Sequence, residues 1–196
     1  MTPQDILQTF KEGNRRFLEG RKIQKNYRQQ LEMTSTGQHP YAIVLGCIDS
    51  RKPTEIIFDK GIGDIFIARI AGNFANTDII GSMEFACKLG GAKVILVLGH
   101  TDCGAIKGAC DDVKLGNLTS LLEKIKPAVE AVKGFEGKRN SSHAEFVDAV
   151  AKQNVLLTIE KIKKQSPILN AMIAHGQILI VGCMYHLGTG LVEVYE

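Results

Sequence analysis

Apolar residues recur at helical spacing from the start of the chain, at Ile6, Leu7 and Phe10 and on to Phe17 and Leu18. Thr2 stands ahead of them, followed by Pro3 and, three residues on, Asp5, which is the pattern of a capped helix start. A helical arm over about 1–35 is therefore predicted, its second half a basic stretch (Arg21, Lys22, Lys25, Arg28) leading to a turn at 36–40. Short branched apolar runs bounded by turn residues follow at 41–45, 64–68 and 93–98, and these read as strands buried on both faces. Helical patterns lie between them, one starting near Pro53 and one over 76–89 that ends at Gly90-Gly91. Strand, helix, strand, helix, strand implies a parallel sheet. Helices are expected over 118–132 and 143–164, with a polar loop at 133–142 between them. A fourth strand at 177–182, a turn at 186–190 and an antiparallel last strand at 191–195 close the chain. The fold class is α/β: a four-stranded, mostly parallel sheet flanked by helices, with a C-terminal antiparallel edge strand.

Composition narrows this to one domain over 1–196. At 196 residues with 44% hydrophobic content there is material for one core. A net charge of +3 lacks the clustered excess of a nucleic-acid binder, so no nucleic-acid partner is expected. Five cysteines, an odd number thinly spread, suit a reducing compartment better than a disulfide framework. With no apolar leader and no run of about 18 apolar residues, the expectation is a cytoplasmic protein without a membrane partner.

Chemistry concentrates where two predicted strands end. The first runs into Gly46-Cys47-Ile48-Asp49-Ser50-Arg51 and the third into Gly99-His100-Thr101-Asp102-Cys103-Gly104. In open α/β sheets ligands bind at the carboxyl ends of strands where the strand order reverses. If these strands are neighbours, Cys47 meets His100 and Cys103. Two thiolates and an imidazole suit zinc, one per chain, and three protein ligands leave a fourth position open for catalysis. The ligand spacing alone leaves chance coincidence open. It also leaves open a cysteine-dependent transferase with Cys47 as nucleophile beside His100, which predicts activity without metal. Asp49 and Arg51 sharpen the metal reading: a carboxylate gripped by a guanidinium is held off the metal and left to accept a hydrogen bond from water there.

These two runs, with Ala68-Arg69-Ile70-Ala71-Gly72-Asn73 between them, resemble the β-class carbonic anhydrases over about 36–108. The resemblance implies zinc, reversible hydration of carbon dioxide to bicarbonate and a proton by zinc-bound hydroxide, and an obligate homodimer that can extend to a tetramer or octamer. Cys47, His100 and Cys103 match the zinc ligands, and Asp49 and Arg51 the catalytic pair. Gln38 matches a glutamine that reaches the substrate, Phe66 and Phe85 an apolar wall often supplied across the dimer, and Gly104 a backbone N–H donor. Ile70 stands where asparagine is frequent, Ala105 where a second glycine is, and Phe85 where plant members carry tyrosine. Some members also hold an inhibitory bicarbonate pocket of tryptophan, arginine and tyrosine. Here Arg69 and Tyr185 match but Val44 replaces the tryptophan, so the pocket is expected to be incomplete; Arg69 as a purely structural residue is the plainer alternative. No proton shuttle stands out beyond His39 and His186. The same scaffold also implies a second substrate class, carbon disulfide or carbonyl sulfide. A noncatalytic subunit would have no use for an intact Asp49 and Arg51. Cys87, Cys110 and Cys183 read as small apolar core residues.

Overall fold

A computed structural model of the chain describes residues 1–195. Helix α1 (Pro3–Leu18) begins as its sequence requires: Thr2 Oγ1 accepts from the Asp5 N–H at 3.1 Å, and the Asp5 carboxylate accepts from the Thr2 N–H at 2.8 Å. The basic stretch after it contains a second helix, α2 (Tyr27–Thr34), capped by Asn26 and burying none of its own residues. Then come β1 (Ala42–Gly46), the single turn α3 (Thr54–Ile57), β2 (Ile65–Arg69), α4 (Thr77–Glu84), β3 (Val94–His100), α5 (Gly104–Cys110), α6 (Gly116–Glu123), α7 (Lys126–Ala131), α8 (Ala144–Gln165), α9 (Pro167–Ala174), β4 (Leu179–Tyr185) and β5 (Val192–Tyr195).

The sheet order is β2-β1-β3-β4-β5, and the first four strands are parallel with β5 antiparallel at the edge, in keeping with the expected fold class. The chain leaves β1 for β2 on one side and returns to β3 on the other, so the order reverses between β1 and β3. Alternate residues of β1 and β3 feed two cores. Ile43, Leu45, Ile95 and Val97 pack with Met83, Ile106, Phe146 and Val150 on one face, while Val44, Leu96 and Leu98 pack with Ile6, Phe10, Ile57 and Phe58 on the other. Burial on both faces explains why these strands read as continuous apolar runs.

The structure departs from the predicted elements at several places. The helix expected over 76–89 changes pitch at its end: Phe85–Leu89 is a π-helical turn, with the Gly90 N–H reaching the Phe85 carbonyl at 2.8 Å. The helix expected over 118–132 is two, because Pro127 can only sit in a first turn and restarts the helix as α7. Two helices were not expected at all: α5, too short to show a period, and α9, announced only by Ser166-Pro167, where the Ser166 hydroxyl caps the Leu169 N–H. The fourth strand lies further along than expected, since its register to β3 continues to Tyr185 opposite His100.

One buried amide joins the arm to the body. Asn14, 3% exposed, donates to the carbonyls of Ile57 and Gly190 and accepts from the Val192 N–H at 2.9 Å. Asn14→Ala strands three backbone groups, so a loss of about 2–3 kcal/mol is expected from urea or thermal unfolding; an unchanged midpoint would show the arm to be held elsewhere.

Candidate metal centre

The geometry starts from two strand tips. Gly46 ends β1 opposite Leu98, so the chain leaves the sheet at Cys47 beside the end of β3, where His100 is the last strand residue and Cys103 directly precedes α5. The ligand atoms of Cys47, His100 and Cys103 lie within 4.8 Å of one another, and all three residues are buried. The two sulfurs are 3.9 Å apart; a tetrahedral zinc with bonds of about 2.3 Å places two sulfurs about 3.8 Å apart. His100 Nδ1 lies 2.8 Å from the Thr101 carbonyl, which makes it the protonated nitrogen and leaves the Nε2 lone pair free. That Nε2 is buried without a hydrogen-bond partner. An orphaned acceptor beside two thiols is what a metal site predicts, and the donor set fits zinc.

The thiols influence each other. Hydrogen bonding from Cys103 first, joined by the Gly72 amide at 3.4 Å, outweighs burial and pulls the Cys47 thiol well below its ordinary range. Cys103 is in turn pushed up, by its bond to the Cys47 thiolate and by burial. Burial pushes Cys87 and Cys183 up to about 12, consistent with inert core residues, and is the main cause that raises the partly buried Cys110 to about 11.

Asp49 sits against this cluster with its charge secured. Arg51 grips it with two nitrogens, Nε to Oδ1 at 3.0 Å and a terminal nitrogen to Oδ2 at 2.8 Å, and the Arg51 amide adds a third bond at 2.9 Å. The Arg51 side chain is the main reason the Asp49 carboxyl falls to about 2. Its Oδ2 is 4.0 Å from His100 Nε2, near the cluster and outside the set of three.

Two residues that sequence reasoning undervalued hold this loop. Arg69, at the end of β2, donates to the carbonyls of Cys47 at 2.8 Å and Asp49 at 2.7 Å, so it braces the ligand loop from the neighbouring strand. Lys52 is fully buried, donating to the Leu98 carbonyl at 3.4 Å. A Cβ on Gly46 would run into its ammonium, so any larger residue there has to displace the lysine. Burial lowers the Lys52 pKa to about 8. In the sequence nothing marks it, because a lysine between Arg51 and Pro53 looks like a solvated loop residue. Val44, which shares this face of β1, is fully buried.

The remaining predicted site residues divide. Gly104 opens α5 immediately after Cys103, with open space about its Cα. Phe66 and Phe85 pair edge to face at 6.2 Å and line a cleft of ≈ 630 Å³ with Ile43, Ile67 and Ile79. Phe66 is opposite Ile43, four residues before Cys47 or about 13 Å along the strand, so the chain does not itself bring this wall to the cluster. Gln38 is further still. It enters β1 from the amino end, where its neighbours Gly37 and His39 line another cleft with Ile62 and Asp64. His186 follows β4 at the correct end of the sheet, 3.6 Å from Glu193. No helix among the described residues is long and apolar enough to cross a membrane.

With this geometry in place, comparison with known proteins is specific. A family model described as carbonic anhydrase matches residues 42–192. The chain is 34% identical to carbonic anhydrase 2 of Mycobacterium tuberculosis over 96% of its own length and 90% of the relative's. It is 32% identical to a carbonic anhydrase of Mycolicibacterium smegmatis, over 98% and 93%. Among solved structures, the β-carbonic anhydrase CcaA superposes with a TM-score of 0.75 at 26% identity, covering 97% of this chain and 95% of that one. One of two tetrameric β-carbonic anhydrases of Sordaria macrospora gives 0.70 at 25% identity, over 85% and 89%.

Proposed function

We propose that this chain, which belongs to the β class of the carbonic anhydrase family, hydrates carbon dioxide reversibly to bicarbonate and a proton, with zinc held by Cys47, His100 and Cys103. The observation that carries the reading is the buried, unpartnered His100 Nε2 facing two thiols, with Asp49 beside it. When bound, zinc supplies Lewis acidity, which brings the pKa of water to about 7 in the carbonic anhydrases that use three histidines. Asp49, held ionised by Arg51, accepts a hydrogen bond from the attacking water and turns its lone pair toward the carbon of the gas. Arg51 keeps that carboxylate from swinging inward. The Gly104 amide, at the head of α5, donates to the oxygen on which charge develops.

Carbon dioxide is small and a poor hydrogen-bond acceptor, so it needs an apolar wall more than polar contacts. Phe66 and Phe85 are assigned that wall and Gln38 a contact to the product. Both lie away from the chain's own cluster, so the reading requires a second copy to bring them in, and a homodimer is its minimal unit. Carbon disulfide and carbonyl sulfide, linear molecules open to the same attack, form the alternative substrate class. A cytoplasmic, reducing location belongs to the same reading, since the two ligand thiols must stay unoxidised.

Stopped-flow hydration of carbon dioxide beside zinc analysis tests the proposal, with carbonyl sulfide and carbon disulfide as competing substrates. About one zinc per chain with carbon dioxide as the preferred gas is expected. Full activity in metal-free protein would move the assignment to a cysteine-dependent transferase. A second expectation concerns inhibition. Val44 offers no ring in place of the tryptophan, and Arg69 already spends Nε and a terminal nitrogen on loop carbonyls. The rate should therefore fall hyperbolically with added bicarbonate. Initial rates across bicarbonate concentration and pH check this, and cooperative inhibition with a sigmoidal pH profile would sink it.

A further inference from the structure

Arg51 has a second carboxylate. Its grip on Asp49 uses Nε and one terminal nitrogen, and the other terminal nitrogen faces Asp102 Oδ2 at 3.4 Å. Asp102 lies between the ligand residues His100 and Cys103, so Arg51 ties the loop after β1 to the loop after β3. Asp102 is itself held on two sides. Its other carboxylate oxygen is paired with Lys107 on α5, and its backbone N–H donates to Asp148 of α8 at 3.1 Å. Its backbone is in the left-handed region, with φ of 56°, which glycine adopts freely and aspartate at a small cost.

We infer that Asp102, backed by Lys107, is a positioning residue for the reaction: it fixes the roll of the Arg51 guanidinium so that Asp49 is presented beside the metal and withheld from it. The inference rests on the proposed role of Asp49 and Arg51. Asp49 Oδ2 is only 4.0 Å from His100 Nε2, so a guanidinium free to turn lets the carboxylate compete for the open position. The pair is half exposed, with Arg51 and Asp102 side chains 53% and 52% accessible, so the effect is moderate.

The test compares Asp102→Gly and Asp102→Asn with Asp49→Asn in the zinc-loaded enzyme. Glycine relieves the backbone while removing the carboxylate; asparagine keeps the shape and removes the charge. In both variants kcat should fall about three- to fivefold with KM for carbon dioxide unchanged, as expected for an exposed ion pair. The thermal midpoint of Asp102→Gly should stay level or rise. On cobalt-substituted protein, the apparent affinity for thiocyanate, read from the visible spectrum, should weaken by a similar factor as Asp49 competes for the position. In an Arg51→Lys background the Asp102 changes should add nothing. Unchanged kcat and thiocyanate affinity, with Asp49→Asn still costing its rate, would overturn this inference and leave the catalytic pair standing. So would a kcat that falls only together with the thermal midpoint in both variants. An inactive role for Asp49 itself would remove the premise instead, and the Asp49→Asn control shows which has failed.

Discussion

Asp49→Asn is expected to lower kcat/KM for carbon dioxide hydration about a hundredfold while leaving about one zinc per chain. The amide is nearly isosteric, so Cys47, His100 and Cys103 keep their places. What changes is the charge. Asp49 is ionised down to about pH 2, chiefly through its bonds to Arg51, and so accepts a hydrogen bond throughout the working range. An amide accepts weakly at one atom and donates at the other. It also loses the charge-assisted grip of Arg51 at 2.8 and 3.0 Å, so its orientation relaxes as well. Positioned proton acceptors are worth roughly 10²–10⁴ in rate, and the lower end applies because water can partly substitute at an open site. Stopped-flow kinetics with zinc analysis on the same sample decide the matter. A variant that keeps parent activity would show that Arg51 and Asp49 are merely a loop clasp.

Cys103→Ser has the larger predicted effect, loss of the metal and of activity down to background, at least about a thousandfold. A serine hydroxyl does not ionise near neutrality and is a poor zinc ligand, whereas the thiol there is buried within 3.9 Å of a second sulfur. Zinc held by ligands drawn from two separate loops of the folded chain would add its binding energy directly to folding stability. Adding zinc should therefore raise the thermal midpoint of metal-stripped parent protein and leave that of Cys103→Ser where it was. The pH dependence has a definite sign. Metal binding needs both thiols ionised and displaces the proton that Cys103, the one pushed up, still holds, so zinc affinity falls as pH falls, and chelator-driven zinc loss should quicken on acidification. Melting curves with and without zinc, together with metal analysis, check both statements. Zinc retained at one per chain by Cys103→Ser would refute the assigned ligand set.

Much of the fold was written locally. The capping box at Thr2 and Asp5 is a matter of four consecutive residues, and the both-faces burial of β1 and β3 follows from runs such as Val94 to Leu98 that carry no polar residue. Elements governed by a single short signal were harder to see. α5 is only seven residues long, and four of them are glycine or alanine, while α9 depends on a serine cap just ahead of a proline. The π-helical turn at Phe85–Leu89, which places Ala86 and Cys87 in the core, has no signature in the apolar spacing.

The candidate site divides in the same way. Residue types and order alone determined that Cys47, Asp49 and Arg51 follow one strand and His100 and Cys103 another, and hence which donor atoms a metal could find. Only the tertiary structure decided that these strands are neighbours, with Gly46 level with Leu98, and that three ligand atoms converge within 4.8 Å. It also decided that Arg69 braces the ligand loop from a third strand, that Lys52 is buried behind Gly46, and that Gln38 and the Phe66 wall stand away from the chain's own cluster. The physical reason is range. Capping, strand burial and the reach of Arg51 to Asp49 act over a few residues, so spacing encodes them. Strand order and the approach of loops more than 50 residues apart are set by how two cores share one sheet, and no window of sequence contains that information.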